Sequence, residues 1–93
     1  MNEYGTVIIE TYLNSGEKSS ARVRFRLVWS ADGISPGLNV EYSRKIRERH
    51  PIGTLFLIEA LLIEKEGGNP FLYAHYGAPY RVISQEEADR MMA

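Results

Sequence analysis

The chain has 93 residues, 11 basic and 12 acidic side chains, and no cysteine. That excludes disulfides, thiolate metal sites and a cysteine nucleophile, and the length suits one domain, 1–93. The net charge of −1 gives no global pull toward nucleic acid, but residues 1–17 carry −3, 18–50 carry +5 and 51–93 carry −3, a basic island between acidic flanks.

The opening MNEYGTVIIE lacks a basic segment ahead of its short apolar run and does not read as a signal peptide. Thr6 to Leu13 is rich in β-branched residues and predicts a strand. NSGEKSS supplies a polar turn around Gly16, and Ala21 to Trp29 alternates with period two. Val23, Phe25, Leu27 and Trp29 point one way, Arg22, Arg24 and Arg26 the other. The two segments predict a hairpin, and a turn centred near Glu17 sets Glu10 opposite Arg24.

Ser30 to Gly37 is turn chemistry, with Asp-Gly, Ser-Pro and Pro-Gly in succession. Asn39 suits the cap of a helix from Val40 to Arg49, whose Arg44, Lys45, Arg47 and Arg49 favour its C-terminal end and which Pro51 stops. The apolar stripe of that helix is thin, and a strand from Leu38 to Tyr42 competes with it. Thr54 to Lys65 predicts a central strand with both faces apolar; its longest run, Leu55 to Ile63, is broken by Glu59 and falls far short of the ~20 residues of a membrane span. No membrane segment is expected, and the cytoplasm is the expected location.

Gly67-Gly68-Asn69 then reverses the chain into the strand PFLYAHY, and Gly77-Ala78 predicts a two-residue hairpin loop leading to Tyr80–Ser84. Ser84 opens a short helix through a capping box with Glu87, Ala88, Met91 and Met92 forming its apolar side. These elements predict an α+β fold: a mostly antiparallel, five-stranded curved sheet with one helix after strand 2 and a short C-terminal helix.

The run HPIGT…EKEGGNPFLYAHYGAPYRVIS, residues 50 to 84, resembles small uncharacterised bacterial accessory proteins of the integron gene cassette or mobile-element type. The shared features are a Gly-Thr strand start, a Gly-Gly turn and a Phe-Leu-Tyr strand. They are structural, so the resemblance implies no activity, cofactor or catalytic residue.

Three constellations carry candidate chemistry. Arg22, Arg24 and Arg26 stack guanidinium groups about 6.5–7 Å apart, close to the phosphate repeat of a nucleic-acid strand, and their planar forks suit phosphate oxygens. The plain alternative is a solvated face partly neutralised by Glu10. The predicted hairpin gathers Phe71, Tyr73, His75, Tyr80 and Val82 on one face, with Phe56 and Ile58, as a site for a flat apolar ligand or a dimer seam; ordinary core explains the same residues. Glu59, an acid in an apolar strand, faces Tyr76 or His75 according to register, and the second arrangement sets a carboxylate against an imidazole, the minimal hardware of acid–base chemistry. His50 and His75 do not stand at metal-ligand spacing. The leading expectation is an accessory protein acting by binding, to a protein partner or a small apolar ligand, as a homodimer, without catalytic residues, cofactor or metal. A nucleic-acid-binding module built on the arginine row and a small enzyme built on Glu59, His75 and Tyr73 are the alternatives.

Overall fold

A computed structural model describes residues 4–14, 23–64 and 66–93. The elements follow as β1 (Gly5–Leu13), β2 (Val23–Ser30), β3 (Asn39–Glu41), α1 (Arg44–Arg49), β4 (Leu55–Ile63), β5 (Phe71–Tyr73), β6 (Arg81–Ile83) and α2 (Gln85–Met92). The fold is α+β with a mostly antiparallel sheet, in the order β1-β2-β3-β5-β4-β6, and β1 pairs with β4 as well as with β2. Five strands therefore close into a barrel, with β6 attached outside it. Among the described residues only β3 and β5 run parallel, Val40 beside Leu72 and Glu41 beside Tyr73.

Closure depends on β4, which uses both edges. Its residues 55–60 pair with β1 on one side; on the other, β6 occupies 55–57 and β5 occupies 61–63. Closing a sheet on itself removes the exposed strand edges that otherwise invite aggregation. Period-two alternation fills the interior with Val7, Ile9, Phe25, Leu27, Val40, Phe56, Ile58, Ala60 and Leu72, where each large apolar side chain contributes roughly 1.5–3 kcal/mol. One end is plugged by α1 through Ile46, and Ser43 caps that helix, its hydroxyl accepting from the Ile46 amide at 3.3 Å.

A second apolar layer lies outside the barrel. Ile8 and Leu55 face away from the interior and are buried with Ile83 beneath α2, whose Ala88, Met91 and Met92 join Leu57, Val28 and Trp29. The doubly apolar character of β4 is met in this way within the chain over Leu55 and Leu57. Ser84 caps α2 as its capping box implies, the hydroxyl accepting from the Glu87 amide at 3.1 Å.

Several sequence expectations are corrected. Among the described residues there are six strands rather than five, and the middle helix follows the third strand, because residues from Asn39 form the competing strand and the helix begins only at Arg44. Val40 and Tyr42 are core positions of the barrel rather than of a helix stripe. The β1–β2 register puts Glu10 opposite Arg26 and Tyr12 opposite Arg24. A bulge moves from Ile8↔Trp29 to Ile9↔Leu27, leaving Val28 as the extra residue; it shifts the alternation by one, so Trp29 joins the α2 layer instead of the face of Phe25 and Leu27. The Gly77-Ala78 hairpin does not form. Between β3 and β4, β5 gains two neighbours and buries Leu72, and the Ala74 amide continues onto the Glu41 carbonyl at 2.9 Å. β6 instead pairs with the start of β4, Phe56 opposite Val82. The turn around Gly16 and Arg22 lie outside the described residues.

Candidate nucleic-acid interface

Strand pairing builds rows of side chains around the outside of the barrel. Tyr12 lies opposite Arg24. The β2–β3 register, Phe25 to Val40 and Arg26 to Asn39, sets Glu41 one step further on, beside Arg24, and Glu41 in turn lies beside Tyr73. One row therefore reads Tyr12, Arg24, Glu41, Tyr73, and a second, below it, reads Glu10, Arg26, Asn39. Neighbouring strands stand about 4.7–4.9 Å apart and rows about 6.5–7 Å apart. The face thus presents an aromatic ring at each end with guanidinium, amide and carboxylate groups between.

The electrostatics follow from this placement. The Arg26 Nε donates to the Glu10 carboxylate at 2.7 Å, and its guanidinium lies 4.6 Å from the centre of the Tyr12 ring. Arg24 is half-buried. Where α1 meets β2, burial lowers the Arg47 guanidinium from its ordinary value; Glu48 opposes this, while Arg44 and Arg24 press it lower still. Three guanidinium groups therefore share one field. Arg44 is tied to Glu48 at 2.9 Å across one helical turn. The Arg26–Glu10 and Arg44–Glu48 pairs are solvent-facing and worth about 0–1 kcal/mol each, so a phosphate oxygen can replace the carboxylate at little cost.

The other residues singled out in the sequence do not converge. Tyr73 is on this outer face, 37% exposed, with Phe71 two residues before it on β5. His75 is exposed in the loop beyond β5, its Nδ1 accepting from the Gly77 amide at 3.0 Å and its ring stacked on Tyr76 at 4.5 Å. Tyr80 lies at one end of the barrel, packed edge-on against Tyr42, His50 and Phe56. The four therefore do not line one ligand site, because the hairpin that would have aligned them gave way to barrel closure.

Glu59 is exposed, and its carboxylate accepts from the Thr6 hydroxyl at 2.6 Å across the β1–β4 pair. The β4–β5 register aims it at His75, but the ladder ends at Tyr73. The described contacts join Glu59 to Thr6 and His75 to Gly77, not to each other. The acid–base constellation is therefore not assembled.

Two of the depressions formed by the described residues bear on these candidates. A cleft of ≈ 400 Å³ lies over the part of β4 between β6 and β5 and is lined by Leu57, Ile58, Glu59, Tyr80 and Arg81 among others. A smaller one of ≈ 230 Å³ lies at the end of the Tyr12–Tyr73 row and is lined by Glu41, Tyr42, Tyr73, Ala74 and Tyr76. Among the described residues no group of three or more metal-ligating side chains occurs, and no helix is long and apolar enough to cross a membrane. Tyr12, Glu41 and Tyr76 were not evident as site residues from sequence. A parallel β3–β5 pair, joined through a helix and a further strand, leaves no local signal of its register.

No family model, curated protein or solved structure matches the chain.

Proposed function

We propose that the protein binds single-stranded nucleic acid across the outer face of β1, β2, β3 and β5. The observation that carries this is the cross-strand row in which Arg24 and Glu41 lie between Tyr12 and Tyr73, with Arg26 stacked over Tyr12 beside it. Single strands are held by stacking of bases on aromatic rings together with cationic groups that follow the backbone; the two rows supply Tyr12 and Tyr73 for stacking and the guanidinium groups of Arg24 and Arg26 for phosphates, with Glu10 and Glu41 interspersed. The architecture supports the same reading. A five-stranded Greek-key barrel is the framework of OB-type domains, which use the strand 2–3 face for oligonucleotides and oligosaccharides. Fold alone does not assign function; the aromatic and guanidinium groups on that face are what favour a nucleic acid. The net charge of −1 implies a local patch and moderate affinity rather than field-driven coating of duplex DNA.

Fluorescence polarisation of a labelled single-stranded oligonucleotide, against the same sequence as a duplex, tests the reading. Binding should favour the single strand, weaken with salt, and be lost in the Arg24→Glu/Arg26→Glu double variant; absence of binding at about 50 mM salt rejects it. A small apolar ligand is the second reading, favoured by the ≈ 400 Å³ cleft between β6 and β5. Chemical-shift changes confined to Ile58, Tyr80 and Arg81 on addition of a hydrophobic probe would support it.

A further inference from the structure

The depression at the end of the Tyr12–Tyr73 row has a definite chemistry. Its volume is ≈ 230 Å³, and Glu41, Tyr73 and Tyr76 are its exposed walls. Tyr76 is 75% exposed, yet its ring is held by stacking on His75, whose Nδ1 is fixed by the Gly77 amide. Glu41 is exposed and sits between Tyr73 on one side and Arg24 on the other. Two aromatic faces and one carboxylate thus meet at a single small dip.

We infer that this dip is a base-reading pocket, selective for guanine within a bound single strand, with Glu41 the specificity-determining residue. The inference rests on the strand-binding reading above and names what that face selects. A carboxylate only accepts hydrogen bonds. Guanine presents two adjacent donors, N1–H and the N2 amine, so both carboxylate oxygens are satisfied in one plane. Cytosine and adenine present a single amine next to a ring acceptor, which would face the second oxygen and repel it. Thymine and uracil place their one N–H between two carbonyls. The Watson–Crick edge carrying guanine's pair of donors is free only in a single strand, and the tyrosine rings supply the stacking that any base can use.

The test compares labelled single-stranded eight-mers, all-thymine against thymine with one central guanine, in DNA and in RNA form, by fluorescence polarisation. The guanine oligomer should bind about tenfold more tightly, the order expected of one good bidentate contact. Replacing that guanine by hypoxanthine, which lacks the N2 amine, should remove most of the gain. Glu41→Ala should abolish the preference while leaving or raising affinity for the all-thymine strand, since a negative charge is removed. Tyr76→Ala should reduce the preference as well, and Arg26→Ala should weaken both oligomers alike. Equal binding of the two oligomers, or a preference that survives Glu41→Ala, overturns the pocket while strand binding stands. Failure of both oligomers to bind overturns both readings. Competition by guanosine monophosphate at the affinity of the oligomer overturns the assignment to a base within a strand. Because Glu41 and Tyr76 are exposed, circular dichroism of each variant should match the parent.

Discussion

Truncating Phe56 offers the most direct measure of how the barrel is held. The side chain is wholly buried, and its ring meets Phe25 at 5.5 Å, His50 at 5.1 Å and Tyr80 at 5.6 Å, each edge-on or nearly so. Its backbone is held on both edges, by Ile9 of β1 and by Val82 of β6, so the wall cannot move inward to fill the space left behind. Phe→Ala at such a site costs about 3–5 kcal/mol. At roughly 0.05–0.15 kcal/mol per residue the whole domain is worth only about 5–14 kcal/mol. At 4–8 °C per kcal/mol, a loss near 4 kcal/mol lowers the melting temperature by about 15–30 °C. Urea unfolding followed by circular dichroism measures both the midpoint and its slope. Val82→Ala is the control: Val82 faces Phe56 across the ladder but is 46% exposed, and should cost within about 0.5–1 kcal/mol. A loss below about 1.5 kcal/mol for Phe56→Ala, with an unchanged slope, would refute the view that the closed barrel is the stabilising unit.

Ser84→Ala removes the cap of α2, which covers Ile8 and Leu55, and should lower stability by about 1 kcal/mol in thermal melts. Arg26→Ala should reduce the dependence of log affinity on log salt by about 0.7 for a single-stranded oligonucleotide, one phosphate's share; an unchanged slope removes Arg26 from the backbone contacts. Burial, and the neighbouring Tyr80, raise the Tyr42 hydroxyl above its ordinary value of 10.0. The folded state then holds a proton that the unfolded chain gives up, so this contribution is complete below pH 10, where the unfolded tyrosine titrates, and is lost as pH rises through the folded value. Tyr42→Phe should flatten the fall in stability above pH 10, at a cost of about 1 kcal/mol at neutrality from the lost hydrogen bond to the Ala78 carbonyl. Light scattering at micromolar concentration tests the expected homodimer; a concentration-independent mass of 10.6 kDa excludes it.

Local pattern alone determined much of this molecule. The alternation of Val23 to Leu27 and the β-branched residues of Thr6 to Leu13 made two antiparallel strands, the Gly67-Gly68 turn joined β4 to β5, and Ser84 with Glu87 started α2, because each of these depends on residues within a few positions of one another. The arginine alternation likewise placed Arg24 and Arg26 on an outward face. Tertiary structure decided the rest. The short segment Asn39–Glu41 became a strand because the gap between β2 and β5 had to be filled, and three residues carry too little periodicity to declare it. The Val28 bulge turned Trp29 toward α2, a one-residue slip that alternation cannot foresee. Above all, closure of β1 onto β4 and the parallel β3–β5 pair drew Glu41 and Tyr73 into the row of Arg24 and Tyr12 while sending Tyr80 to the barrel's end. Those neighbours are set by which strands bury the most apolar surface together, a property of the whole chain that no local window of sequence contains.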